Sequence, residues 1–194
     1  MKRKILVTGG AGFIGSHVVD KLIEKEFEVV VVDNLSTGNR KNLNKKAKFY
    51  KADISKPGID KIFKKENPEI VFHFAAQINV RESVENPSQD AKVNIIGGLN
   101  VLQACKNFGV KKIIFSSTGG AIYGEADVIP TPESYIEKPM SPYGVAKLAT
   151  EKYIYYYQKV FGIDFAVLRF ANVYGPRQNS KGEAGVVAIF ANKI

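Results

Sequence analysis

The sequence predicts an α/β fold built on a doubly wound parallel sheet with helices on both faces. Two observations carry this. Short β-branched or apolar runs alternate with longer segments of helical spacing, the pattern of repeated strand–crossover–strand units. The first such run leads straight into Gly9-Gly10-Ala11-Gly12-Phe13-Ile14-Gly15, a glycine pattern that opens a helix. Together they define a Rossmann-type arrangement, in which ligands sit beyond the carboxyl ends of the strands.

The elements follow in order. Residues 4–8 form the first strand and 13–25 the first helix, with Ile14, Val18 and Leu22 on one face. Residues 28–33 are β-branched almost throughout, as suits a strand covered on both sides. Residues 47–52 make a third strand, and 58–66 a short helix ended by Asn67-Pro68. A buried fourth strand occupies 70–74, and a long helix runs from 87 to 108 with Gly109 closing it. Strand five is 112–117. The stretch 118–140, rich in Gly and Pro, is a long loop beside the site. A helix over 142–161 and a sixth strand over 164–170 complete the alternation. Residues 1–175 are expected to form one dinucleotide-binding domain. Residues 176–194 begin a second region, its first helix opening near 185–190.

Composition narrows the classes. With 194 residues, 45% hydrophobic and 24% charged, the chain has the make-up of a globular domain able to bury a core. No apolar run reaches the roughly 20 residues of a membrane span. The basic Met1-Lys2-Arg3-Lys4 is followed by three apolar residues and a glycine turn rather than a signal sequence, so a cytoplasmic protein is expected. The single cysteine, Cys105, excludes an internal disulfide, and with His17 and His73 as the only histidines no metal site is expected. The net charge of +9 comes from dispersed lysines without a nucleic-acid motif, so solvated faces are expected rather than a nucleic-acid partner. Such a potential also draws phosphorylated ligands.

The glycine motif has a physical reading. Gly9 makes the tight turn, Gly12 lets the backbone approach a diphosphate, and Gly15 packs helix against strand. The N–H groups near Phe13 and Ile14 then face the phosphate charge. Asp33, at the tip of the second strand, would accept hydrogen bonds from ribose hydroxyls and repel a 2′-phosphate, which selects NAD. Arg40 downstream keeps NADP open. Asp53-Ile54, ending the third strand, fits an adenine contact, and Asp53 fits a plain turn residue about as well.

Ser141-Pro142-Tyr143-Gly144-Val145-Ala146-Lys147 sets Tyr143 and Lys147 four apart on one helix face. A neighbouring ammonium lowers the phenol below its usual value of about 10 and lets it act as a base. Tyr155 and Lys159 repeat the spacing, but Tyr155-Tyr156-Tyr157 read as core or helix-contact residues. Ser116-Ser117-Thr118 ends the fifth strand. Its hydroxyls fit either substrate orientation or the satisfaction of loose backbone groups.

These residues resemble the extended short-chain dehydrogenase/reductase family, the NAD-dependent epimerases and dehydratases, and within it the UDP-glucose 4-epimerase branch. The matching stretches are Thr8 to His17, Asp33-Asn34-Leu35-Ser36-Thr37-Gly38, His73-Phe74-Ala75-Ala76-Gln77, Ser116-Ser117-Thr118, Ser141 to Lys147, and Arg169 to Arg177. The resemblance implies NAD contacts by Asp33, Asn34, Ser36, Thr37 and Gly38, by Asp53 and Ile54, and by Phe74, Ala75, Ala76 and Gln77. It adds Asn94, Ser116, Tyr143, Lys147, Phe170 and Val173. It implies catalysis by Tyr143 as base, Lys147 as its helper and Thr118, with Thr118, Tyr143 and Asn172 meeting a UDP-sugar substrate.

The implied reaction is inversion at C4 through a transient 4-keto sugar, with a homodimer formed through the long helices. Gly119-Gly120 stands where related dehydratases carry Asp-Glu and decarboxylases a Glu, which weighs against both. The family's further C-terminal region, which supplies most of the sugar pocket, is largely absent from these 194 residues. Another nucleotide-sugar oxidoreductase or lyase, or a non-catalytic NAD-binding module, are the alternatives.

Overall fold

The computed structural model describes residues 2–179 and 186–191. Its sheet is formed by β1 (Lys4–Thr8), β2 (Glu28–Asp33), β3 (Lys48–Lys51), β4 (Ile70–His73), β5 (Lys112–Thr118) and β6 (Asp164–Phe170). All pair in parallel, in the order β3-β2-β1-β4-β5-β6. This is the Rossmann order, and the direction of winding reverses between β1 and β4. Parallel pairing brings every carboxyl end to one rim, so Gly9, Asp33, Asp53, Phe74, Thr118 and Phe170 follow or end their strands on the same side.

Alternation within the strands explains the two-sided core. On β2, Val30 and Val32 join Leu6, Val71, Ile113 and Phe115 on one face. There they pack against α2 (Ile59–Glu66), α5 (Gly97–Asn107) and α7 (Pro142–Phe161) through Ile59, Phe63, Leu102, Cys105 and Ile154. Val29 and Val31 face the other way, with Ile5 and Val7, onto Val19 and Leu22 of α1 (Phe13–Glu24). Each such buried aliphatic side chain contributes roughly 1.5–3 kcal/mol relative to exposure.

Several expectations need correction. The buried face of α1 is Gly15, Ser16, Val19 and Leu22, with Ile14 and Val18 at its flanks. The cause is Gly15, where a Cβ would collide with the Gly9 carbonyl, so the helix settles onto the turn by its smallest residues. The helix expected over 87–108 is three pieces: α4 (Pro87–Ala91), a π-turn (Lys92–Ile96) and α5. Helical backbone angles continue through both junctions, so the turn is widened without a break.

Two short α-helices escaped the sequence pattern. The first is α3 (Val80–Glu85), capped by the Asn79 side chain accepting from the Glu82 N–H at 2.8 Å. The second is α6 (Gly119–Ile122), inside the segment read as loop. Tyr155 and Tyr156 are exposed, so of the tyrosine run Tyr157 alone enters the core, donating its hydroxyl to Gln103 at 3.0 Å. Strand and helix ends otherwise moved by one or two residues. The helix expected near 185–190 is α8 (Val186–Ala191), while Gly185 lies outside the described residues. No helix among the described residues is long and apolar enough to cross a membrane.

Candidate functional site

The glycine turn is closed by its own Gly12 N–H, which donates to the Gly9 carbonyl at 3.1 Å, and is held in place by its neighbours. Asp33, 7% exposed, accepts from the Ala11 N–H at 3.0 Å through Oδ2 and from the Leu35 N–H at 2.8 Å through Oδ1. The Gly9 N–H donates to the Val32 carbonyl at 2.8 Å. Gly9 has φ +70°, and a Cβ there would stand 2.6 Å from the Ala75 nitrogen, so the loop after β4 touches the turn directly. Gly38 lies equally close to the Asp33 carboxylate, where a Cβ would be 2.8 Å from Oδ1. No side chain caps the start of α1. The first N–H groups of a helix lack intrahelical acceptors, so those at Phe13 and Ile14 are presented to whatever anion enters.

Along the rim from β2, Asn34, Ser36 and Thr37 are exposed, and the Asn34 side chain accepts from the Ser36 N–H at 2.9 Å. Asp53 accepts from the Ser55 N–H at 2.9 Å and hydroxyl at 2.7 Å. Burial pulls its pKa upward, but these bonds outweigh burial and the carboxyl stays below its ordinary value. It is thus a turn residue by structure, with the Asn34 amide 3.4 Å from its other oxygen. Ile54 is 4% exposed and packed against Gly97, its carbonyl bound by Asn100 at 2.8 Å. Its side chain belongs to the core. Arg40 lies over the Phe49 ring at 5.7 Å.

The loop after β4 carries half-buried Phe74, Ala75, Ala76 and Gln77. The Ala75 N–H donates to the Thr8 hydroxyl at 3.2 Å, which is 2.7 Å from His73 Nδ1. Burial, with the Lys147 charge adding to it, pushes the His73 pKa down to about 3, so this imidazole is neutral. Behind the loop stands Asn94, 4% exposed, whose amide accepts from the Gln77 N–H at 3.0 Å and donates to the Gln77 carbonyl at 3.0 Å. Asn94 braces the loop from inside, an arrangement its spacing in the sequence did not disclose.

The start of α7 is fixed by Ser141, whose hydroxyl accepts from the Gly144 N–H at 3.1 Å, and by Pro142 in the first helical turn. A Cβ on Gly144 would collide with the Ala121 carbonyl, so glycine lets α7 close onto α6. Tyr143 is half-buried, with Lys147 Nζ 5.8 Å from its ring centre. Lys147 is 3% exposed; its ammonium donates to the Ser116 carbonyl at 2.9 Å and lies 4.9 Å from the Phe115 ring. Burial pulls its pKa down to about 8, against the opposing charges of Asp90 and Glu151. The repeat of the motif at Tyr155 and Lys159 places its ammonium 5.3 Å from the ring centre, but Tyr155 is 54% exposed. Desolvation, not spacing, separates the two pairs.

The Thr118 hydroxyl caps α6, accepting from the Ala121 N–H at 3.2 Å, and keeps its own proton to donate. Ser116 contributes its carbonyl to Lys147, while the Ser117 hydroxyl turns inward and donates to Glu151. Glu151 also receives Arg169, at 3.2 Å from Nε and 2.7 Å from Nη2. The same guanidinium reaches Tyr123 at 2.6 Å and Glu137 at 2.8 Å, tying the loop before α7 to β6. This clamp was not read from the sequence. Beyond β6, Phe170 is half-buried, and Asn172 and Val173 are exposed on the same rim. Pro176 O is 2.9 Å from His17 Nε2, and Arg177 pairs with Asp20 at 2.7 Å, which brings this segment across α1.

Strand order and helix layers define a Rossmann-fold protein of the doubly wound class. Within that class, residues 5–194 match the model of the NAD dependent epimerase/dehydratase family, and the chain belongs to this family. It is 51% identical over 190 residues to a putative UDP-glucose 4-epimerase of Methanocaldococcus jannaschii, covering 98% of this chain and 62% of that protein. Among solved structures it is similar to the UDP-glucose 4-epimerase of Thermotoga maritima with UDP-glucose: TM-score 0.96, 57% identity, 98% of this chain and 62% of that one. The Thermus thermophilus UDP-glucose 4-epimerase in complex with NAD gives a TM-score of 0.94 and 49% identity, over 97% of this chain and 61% of that one. The chain therefore spans a little over three-fifths of the length of these relatives.

Proposed function

We propose that this chain is the NAD-binding and catalytic portion of a UDP-glucose 4-epimerase-like isomerase. The observation that carries the reading is the buried Lys147 ammonium beside Tyr143, on the rim that also holds the uncapped start of α1 and the Asp33-braced turn.

These residues fit NAD. The turn approaches its surroundings so closely that Cβ atoms at Gly9 and Gly15 have no room, and the N–H groups at Phe13 and Ile14 would hold the diphosphate. Asp33 keeps unshared lone pairs for the adenosine ribose, and Phe74, Ala75 and Ala76 would line the far side. Phe170 and Val173 would flank the nicotinamide. When bound, NAD supplies reversible hydride acceptance.

Within that frame, Lys147 provides a fixed cation which favours the tyrosinate form of its neighbour. Tyr143 takes the proton from the sugar 4-hydroxyl as C4 is oxidised, and returns it once the opposite face has been reduced. The Thr118 hydroxyl, free to donate, orients the 4-oxygen, and Asn172 reaches the sugar nucleotide. Gly119 and Gly120 bear no acid or base at the two positions after Thr118, which weighs against elimination and decarboxylation.

We extend the reading to assembly and organisation. Ala149, Lys152, Tyr153 and Tyr156 line an open apolar groove of about 440 Å³ on α7, and a second copy of the chain would cover it. Residues 176–194 would begin the sugar-binding region.

The test is incubation of the purified chain with UDP-galactose, product chromatography, and an assay for co-purified NAD. Appearance of UDP-glucose supports the reading, as does its loss in Tyr143→Phe with NAD still bound. Turnover that survives Tyr143→Phe would refute the base. Bound NAD without interconversion would select a non-catalytic binding module.

A further inference from the structure

Asp90 is 1% exposed, and its Oδ2 is one of two buried side-chain atoms among the described residues without a hydrogen-bond partner. Its Oδ1 is fully engaged. It accepts from Gln77 Nε2 at 2.9 Å and from Asn94 Nδ2 at 2.9 Å, the two amides that shape the loop after β4. Both donors are neutral, so the carboxylate lacks a direct cationic partner. Asp90 lies on α4, which packs against α7, and the buried charge nearby is Lys147.

The other groups around Lys147 are already committed. Glu151, on α7 itself, is matched by two bonds from Arg169 of β6 and by the Ser117 hydroxyl. His73 of β4 is neutral, and β5 presents the Ser116 carbonyl and the Phe115 ring. From α3 comes Ser83, whose hydroxyl accepts from the Tyr143 N–H at 3.2 Å, and from the π-turn comes Asn94. Tyr143 completes the set on α7.

The geometry points to Asp90 as a positioning residue for the Tyr143–Lys147 pair: its unmatched oxygen supplies the negative charge that keeps the buried ammonium protonated, while its other oxygen locks Gln77 and Asn94 behind the dinucleotide loop. This rests on the reading of Tyr143 and Lys147 given above. An ammonium sealed from water favours losing its proton, and an opposite charge buried in the same region opposes that loss. Without Asp90 a much larger share of the lysine would be neutral near pH 7, and its support of a phenolate would weaken.

The substitution Asp90→Asn keeps the size and one oxygen acceptor for the two amides, and removes the charge. The readout is the titration of Lys147 in the intact chain, followed by NMR of lysines labelled with ¹³C at Cε and assigned by Lys147→Met. The wild-type midpoint is expected at about 8. In Asp90→Asn it should fall by about one pH unit or more, the effect of removing a nearby opposite charge. An unchanged midpoint in a folded variant overturns the proposal.

Should Asp90→Asn fail to fold, Lys147→Met with ¹³Cγ-labelled aspartate reads the same coupling from the other side. Losing the ammonium should raise the Asp90 midpoint, and no movement overturns the proposal. Neither titration involves a sugar nucleotide. If Tyr143→Phe retained turnover while Asp90 and Lys147 remained coupled, the base assignment would fail and the electrostatic link would stand.

Discussion

Replacing Asp33 with alanine should cost both stability and cofactor retention, by amounts that follow from its two bonds. Asp33 is buried and accepts from Ala11, a residue with no exposed surface, and from Leu35, which is half-buried. A buried N–H deprived of a charged acceptor costs roughly 1.5–3 kcal/mol, whereas water can replace the partner at Leu35 at about 0.5–1 kcal/mol. The sum is about 2–4 kcal/mol, a large share of a typical domain's roughly 5–15 kcal/mol. Urea unfolding of the apo chain should therefore show a midpoint lower by about 1–2 M for a slope near 2 kcal/mol/M. Asp33→Asn keeps one acceptor and should lose about half as much. Isothermal titration with NAD should show loss of binding in both variants. A midpoint within error of wild type for Asp33→Ala would refute the claim that this carboxylate holds the glycine turn.

Three further outcomes are expected. Gly15→Ala puts a methyl onto the Gly9 carbonyl, so it should destabilise the chain by about 1–3 kcal/mol and displace the start of α1, measured by thermal melting and loss of NAD binding. Glu151→Gln leaves Arg169 without its buried counter-charge at that position, and a drop of about 3 kcal/mol in unfolding free energy is expected, since breaking buried pairs is strongly destabilising. Glu66, buried among Lys48, Tyr50 and Lys4, has its pKa raised by burial but drawn down by these partners to about 2, against an ordinary 4.5. Its folded pKa is the lower one, so its contribution of about 3 kcal/mol is full above pH ~4.5 and fades as pH falls toward 2. Unfolding measured between pH 6 and 2 should be less pH-dependent in Glu66→Gln by that amount. Equal pH dependence would sink the assignment.

The sheet was legible because parallel strands covered on both faces must be β-branched runs, as 28–33 shows, and because a glycine turn after the first of them has few other uses. The order of the strands was not legible from periodicity. Nor were the pairings that cross it, among them Asp90 with Gln77 and Asn94, and Arg169 with Glu151. These depend on which elements pack together, which local pattern does not carry. The short α3 left one readable signal, Asn79 followed three residues later by Glu82, a spacing typical of helix starts. At α6 the cap is Thr118 itself, a residue read for its chemistry rather than for its turn. The burial of Ile54 was not legible either: it follows Asp53 directly in the sequence, yet its side chain packs into the core.

Among the described residues, β6 is hydrogen-bonded on its β5 flank alone, and Leu168 in it is 36% exposed. A flank of this kind is an unsatisfied row of amides and carbonyls, able to take up any extended segment laid alongside it. Phe170 and the segment through Val173 continue directly from that row, so a segment adding there would stiffen this side of the rim. Occupancy of one sheet margin would in this way set how firmly the residues that follow β6 are held.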